Sequence, residues 1–223
     1  LRGITSASRY NNYDNHLALY LTFISLHRYA KQNSTSFIVD EAFISDSELR
    51  AFFKLKDPIK ISNIGKIHFG AYVSNNEIRD GKFSLELRYT LENENGKSFS
   101  GLSDFVFNFS HATGVNKIKE KLAYSDKINE LKGITIDHIK SVKMSKVLTE
   151  NQLYYIFNKI KSSTKKLGKE AREKANEYYN KNVINNTMNI IEAFDKLNEI
   201  TTEIDERLYL ERIYNEVIKE FSN

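Results

Sequence analysis

Apolar positions alternate with polar ones from Lys66 to Leu91. Ile67, Phe69, Ala71 and Val73 form one run; Phe83, Leu85, Leu87, Tyr89 and Leu91 form the next, with Ser84, Glu86, Arg88 and Thr90 between them. A two-residue period sorts side chains onto two faces, so the pattern predicts a hairpin with one face on the core and the other toward solvent or a ligand. The connection "SNNEIRDGK" holds more polar groups than a turn requires, since Asp80-Gly81 alone suffices to reverse the chain. A second hairpin is predicted over 36–44 and 49–56, turning at Asp46-Ser47 and closed by Pro58. Ser45-Asp46-Ser47-Glu48 also fits a helix capping box, but the alternation of Leu49, Ala51, Phe53 and Leu55 with Arg50, Lys54 and Lys56 favours strand. Asn95-Gly96 supplies positive backbone angles for a further turn, and "DFVFNFS" follows as a strand with Phe105, Phe107 and Phe109 on one side.

Elsewhere the period is helical. "DNHLALYLTFISLHRYAK" predicts a core helix capped by Asn15, with Leu17, Leu21 and Ile24 inward and Tyr20 and Leu26 widening the stripe. Val115, Ile118 and Leu122 predict a helix ending near Gly133, and "ITIDHIKSVKMSKVL" reads as one more strand. Thr149-Glu150-Asn151-Gln152 is a capping box for one long helix, whose stripe runs from Leu153 through Ile160 and Leu167 to Tyr178. Two last helices carry Ile190, Phe194 and Leu197, then Leu208, Ile213, Val217 and Phe221, with a break at "TTEIDE". Strands grouped before helices predict an α+β fold: an antiparallel sheet built from hairpins, an N-terminal core helix and a helical C-terminal third. The expected division is a sheet domain over 1–148 and a helical region over 149–223.

The chain has 223 residues and no Cys, which excludes disulfides, thiolate metal sites and a Cys nucleophile. No apolar run reaches the roughly 20 residues of a membrane span, and a cytoplasmic location in a bacterial cell is expected. The sequence begins at Leu1, which suggests a preceding segment. Its charge is uneven. Residues 115–181 carry 16 Lys and Arg against 8 Asp and Glu, whereas residues 182–223 carry 4 against 9. Either the two stretches neutralise each other by packing, or the basic one faces a polyanion.

No motif calls for a cofactor or a metal. The glycines are isolated, so no phosphate loop is present, and the five histidines show no i,i+4 pair. Asp80–Lys82 and Glu86–Arg88 resemble the carboxylate triplets of metal nucleases, but such triplets arise easily in a charged chain. Ser110 and His111 are adjacent on a strand, so they point to opposite faces. The basic stretch carries more information. Lys161, Lys165, Lys169 and Arg172 fall on one stripe of the predicted long helix, Lys159, Lys166 and Lys174 widen it, and Tyr154 and Tyr155 lie at its start. Such a ridge tracks a phosphate backbone, while Tyr72, Lys82 and Arg88 on the hairpin offer stacking and charge.

Several segments resemble a family of uncharacterised phage- and plasmid-borne proteins. "ITSASRYNNYDN" is similar to that family's opening, with Ser8-Arg9-Tyr10 and then Asp14-Asn15. "FISDSELRAFF" resembles its acidic turn and strand. In "IGKIHFGAYVSNNEIRDGKFSLEL", Gly70, Ser74, Asn75 and Glu77 match its hairpin segment, Asn76 stands for the usual Ser, and Arg79 completes the tip. "FNFSHATG" resembles its His-bearing strand-to-helix junction at His111, with Val115 to Lys119 as the helix. The likeness covers residues 1–125. The family's Arg…Cys-x-Asn-Gly element is altered here: Arg88 and Asn95-Gly96 stand at a longer spacing, and the Cys is absent. The resemblance implies a mobile-element context and a role for Asn75, Glu77 and Arg79 beyond turning the chain. Together these features predict a non-enzymatic nucleic-acid-binding protein, expected to bind single-stranded DNA during annealing or recombination as a homo-oligomer. The alternatives are an interaction protein with a host partner, such as an inhibitor of a defence enzyme, and, behind both, a metal nuclease.

Overall fold

Asp14 opens the first helix, α1 (Asn15–Gln32), by accepting a hydrogen bond from the Leu17 N–H at 2.8 Å. The cap thus falls one residue before the Asn15 predicted from the sequence. The structure, a computed structural model, describes residues 14–45, 47–77, 82–111, 113–122, 126–183 and 185–222. The inward face of α1 also differs from the predicted stripe. Ala18, Thr22, Ser25, Leu26 and Tyr29 are buried, while Leu17, Tyr20 and Phe23 are 37%, 62% and 46% exposed.

Six strands follow: β1 (Phe37–Ile44), β2 (Glu48–Leu55), β3 (Ile59–Ile61), β4 (Gly65–Asn76), β5 (Lys82–Glu92) and β6 (Ser98–Ser110). They form an antiparallel sheet in the order β1-β2-β4-β5-β6, with β3 paired to β4. Both predicted hairpins are present, and β3 is an additional short strand. The capping-box alternative loses because Ser45 N–H donates to the Glu48 carbonyl at 2.8 Å, which closes a hairpin instead of a helical turn. Gly70 lets β2 approach β4, since a Cβ there would sit 2.0 Å from the Phe53 carbonyl oxygen. At the 93–97 turn only Gly96 has a positive φ, of 75°; Asn95 does not, because the Asn93 side chain accepts from Asn95 N and Lys97 N and shapes the loop.

The polar face of β5 is not open as predicted. Ser84 and Glu86 are buried together with Phe83, Leu85, Leu87, Tyr89 and Leu91, and cross-strand hydroxyl pairs Ser74–Ser84 and Thr90–Ser100, each at 2.8 Å, satisfy part of that face. On β6, Phe107 and Phe109 stack at 5.0 Å and bury, while Phe105 stays exposed.

Helices complete the chain: α2 (Val115–Leu122), α3 (Asp126–Ser141), α4 (Glu150–Lys161), α5 (Lys169–Asn182), α6 (Ile190–Leu197) and α7 (Ile204–Ser222). The strand predicted over 134–148 is instead the second half of α3, to Ser141, and the loop that follows. Ile128, Leu131, Thr135, Ile139 and Val142 bury at helical spacing, and Gly133 sits in open space, where it costs the helix only about 1 kcal/mol. The β-branched Ile134 and Ile136 imitated a strand. The long helix predicted from Thr149 is two helices. Its capping box forms as predicted, but Ser162 and Ser163 both donate to the Lys159 carbonyl and end α4. Gly168 then caps α5.

The chain divides into two compact units, each assembled from three segments. One comprises 1–58, 68–89 and 103–134 and is centred on β1, β2, α1 and the rings of Phe69, Phe83, Phe107 and Phe109. The other comprises 59–67, 90–102 and 135–223. Its core holds an aromatic cluster in which Phe194 stacks on Tyr214 at 4.2 Å and Phe99 meets both edge-on. The Tyr214 hydroxyl is fully buried and has no hydrogen-bond partner among the described residues. Burial, and secondarily the charge of Glu211, holds its ionisation well above the ordinary tyrosine value.

The sign of the resulting pH dependence is fixed. Above the unfolded value of about 10, the unfolded chain releases a proton that the native Tyr214 keeps. Stability is therefore independent of this group below that pH and falls as pH rises beyond it. Tyr214→Phe removes a desolvated, unsatisfied hydroxyl while keeping the ring. It is expected to be neutral or stabilising by up to about 1 kcal/mol in urea titrations, and to flatten the alkaline limb. A loss of more than about 1 kcal/mol would mean that the hydroxyl is bonded.

Candidate functional site

Four of the segments that carry the family resemblance converge at one end of the sheet in the first unit. The Glu77 carboxylate accepts from the Asn15 backbone N–H at 2.8 Å, and Asn75 donates to the Asn15 side-chain oxygen at 3.0 Å. Asn15 reaches on to the Ser45 carbonyl at 3.4 Å, while Asn76 donates to Glu48 at 2.8 Å. Just past β6, His111 Nε2 meets the Asn76 carbonyl at 2.8 Å; a carbonyl only accepts, so this nitrogen carries the proton. Asn75, Glu77 and His111 are all buried.

The chemistry of this knot is a fastening. The first turn of α1 contains no acidic residue of its own. Glu77 adds a second carboxyl acceptor, from 62 residues away, to the Asp14 cap at the helix's positive end and its N–H groups. The tip residues Asn75 and Glu77 thus bond to Asn15 at a helix N-terminus. Arg79, the remaining tip candidate, and Asp80 of the nuclease-like triplet lie outside the described residues. Sequence reading gave no role to Glu48 or to His111 here. The clue available was a strand end rich in Asn and Glu.

The hairpin face does not form the expected stacking surface. Tyr72 is buried. Arg88 is half-buried, its guanidinium 4.8 Å above the Phe52 ring and 3.8 Å from Asp40, so its charge is engaged within the fold. Lys82 is exposed at the first residue of β5. Glu86 is 1% exposed and therefore closed to a metal–substrate complex; among the described residues no group of three or more His, Asp or Glu is gathered for an ion. No helix among the described residues is long and apolar enough to cross a membrane.

The second unit rearranges the basic candidates. Because the long helix breaks, the stripe of Lys161, Lys165, Lys169 and Arg172 does not exist as one helical ridge. Instead Lys161 ends α4, Lys165 and Lys166 lie in the connection, and Lys169 begins α5, all four exposed. Local sequence therefore crowds these lysines into an elbow. Lys161, Lys165 and Lys166 have no ion-pair partner among the described residues, and Lys169 reaches Glu173 at 3.7 Å across solvent. Lys174 is paired with Glu170 at 2.8 Å.

Arg172 leaves the cluster by donating Nε–H to the Leu167 carbonyl at 3.2 Å. Lys159 leaves it too, bound to Glu216 of α7 at 2.8 Å, and its pKa is raised first by that hydrogen bond against a smaller opposing effect of burial. The acidic tail thus neutralises one cation of the stretch. Two more of its carboxylates have partners: Glu206 accepts from Gly168 N at the start of α5, within the elbow, and Glu199 takes Lys196 and Tyr178 at 2.8 Å each. On α4, Tyr154, Asn158 and Lys161 share the exposed face by their spacing.

No family model, no curated protein and no solved structure matches the chain. Function is therefore read from the geometry. For the knot, Glu77→Ala is expected to destabilise the protein by about 1–3 kcal/mol in urea titrations, and to speed hydrogen exchange in the first turn of α1. Glu77→Gln, which keeps an acceptor but not the charge, should lose less. Unchanged stability for both variants would remove the fastening role.

Proposed function

We propose that this chain is a non-enzymatic nucleic-acid-binding protein that grips a phosphate backbone with the elbow between α4 and α5. One observation carries the reading: residues 151–169 contain five lysines and no Asp or Glu, and four of those lysines stand exposed at a single helix–helix junction. A lysine at the end of α4 is favoured by the negative pole of that helix. Lys169 at the first turn of α5 sits at the positive pole, where a cation costs roughly 0.3–1 kcal/mol. The Glu173 carboxylate one turn on offsets part of that cost, and an external anion would offset the rest. The exposed ring of Tyr154 adds a stacking surface, which favours a single strand over a duplex. The mobile-element context implied by the resemblance and a bacterial cytoplasm suit this ligand.

The test uses fluorescently labelled oligothymidine and a random-sequence duplex across a salt series. Four phosphate contacts on a single strand give a slope of about −3 in log affinity against log salt. Replacing Lys161, Lys165, Lys166 and Lys169 together by Glu is expected to abolish binding. Tyr154→Ala should weaken the single strand by about 1–3 kcal/mol and leave the duplex unaffected. The expected homo-oligomer would show as cooperativity in the same titration. If the fourfold variant binds as tightly as the parent, the elbow is not the site.

A further inference from the structure

The first unit carries a second surface, independent of the lysine elbow and sharing no residue with it. β1 is the edge of the sheet and pairs with β2 alone among the described strands. Its sequence, "FIVDEAFI", is apolar enough for a central strand, yet Ile38, Val39, Phe43 and Ile44 are between 42% and 68% exposed. An exposed apolar edge of eight residues is a hazard that folded proteins ordinarily blunt with charge, proline or cover. Here only Asp40 and Glu41 interrupt it, at a bulge between Val39 and Glu41.

Beside this edge runs a groove of about 680 Å³, within the range of pockets that hold ligands. Phe23, Leu26 and Ala30 of α1 form one wall; Phe37, Val39 and Phe53 form the other. Its polar rim includes His27 and Lys31, both exposed, and no Asp or Glu lines it. The groove is thus apolar inside, with the Lys31 ammonium at its rim. An uncharged ligand would waste that rim, and a basic one would be repelled by it.

We propose that this edge and groove together form a docking site for an extended segment of a partner protein, added as a further strand beside β1. Its alternate apolar side chains enter the groove, and an Asp or Glu meets His27 and Lys31. Strand addition satisfies the outward N–H and C=O groups of β1, which a docked helix would leave to water. A second copy of this chain fits poorly. A two-fold centred on β1 would set Asp40 and Glu41 of one copy against the same pair of the other, and directly opposed like charges destabilise a strand pair.

The experiment selects a displayed library of random peptides against the full chain, then measures the selected sequences as free synthetic peptides. The selected peptides should alternate apolar residues and carry Asp or Glu. Affinity should fall about tenfold or more for Val39→Glu and for the paired change His27→Glu with Lys31→Glu. Hydrogen exchange of residues 37–44 should slow when peptide is bound. Val39 is 59% exposed, so its variant is expected to melt like the parent; if it unfolds, the paired helix-surface change carries the same test. The proposal is overturned if no peptide is selected, if the selected peptides bind the variants equally, or if protection appears in α1 and not in β1. It is also overturned if the chain self-associates and Val39→Glu disperses it, because the occupant is then a second copy.

Discussion

Helix α1 rests on its unit through its small side chains, and the exposed surface of that unit follows from this choice. Ala18, Thr22 and Ser25 face inward, where bulkier groups would hold the helix further out. Thr22 is satisfied by donating to the Ala18 carbonyl at 2.9 Å, so burying it leaves no open valence. Two fasteners fix the rotation. At the N-terminus Glu77 and Asn75 hold Asn15. Toward the other end Tyr29 is fully buried, donates to Asn129 at 2.9 Å and accepts from Lys132 at 2.9 Å. With those two points set, Leu17, Tyr20 and Phe23 have no inward position left. Phe23 instead meets Phe53 edge-on at 5.7 Å and walls the groove beside β1.

A comparable logic shapes the second unit. Three carboxylates of the acidic tail are committed to holding the fold. Glu206 closes the start of α5, Glu199 ties Lys196 and Tyr178, and Glu216 binds Lys159. The hydroxyl run at Ser162 and Ser163 ends α4 early and turns what would have been a spread ridge into a compact elbow. Surface ion pairs of this kind add only about 0–1 kcal/mol each to stability. Leaving Lys161, Lys165 and Lys166 without ion pairs therefore costs the fold little.

The α+β class, both hairpins and the last two helices were legible in the sequence because period and turn chemistry agreed there. Failures occurred where they conflicted. Ile134 and Ile136 alternate like strand residues, but the wider spacing of Ile128, Leu131, Thr135 and Ile139 decided for helix. The break after Lys161 is masked in the sequence because Leu167 and Ala171 continue the apolar stripe across it. In α1 hydrophobicity predicted the inward face, whereas size and distant hydrogen bonds determined it; no local window contains Glu77. The candidate site was legible in composition, as an acid-free run of lysines, but not in shape.

The orientation of α1 can be measured directly, because the chain contains no cysteine. Single substitutions Leu17→Cys, Tyr20→Cys and Phe23→Cys, and separately Ala18→Cys, Thr22→Cys and Ser25→Cys, place one thiol at each position for labelling in native buffer. The first three should react nearly as fast as in denaturant, and the second three only as fast as the protein opens. The reverse order, with positions 18, 22 and 25 labelling freely, would contradict the rotation of α1 and with it the groove.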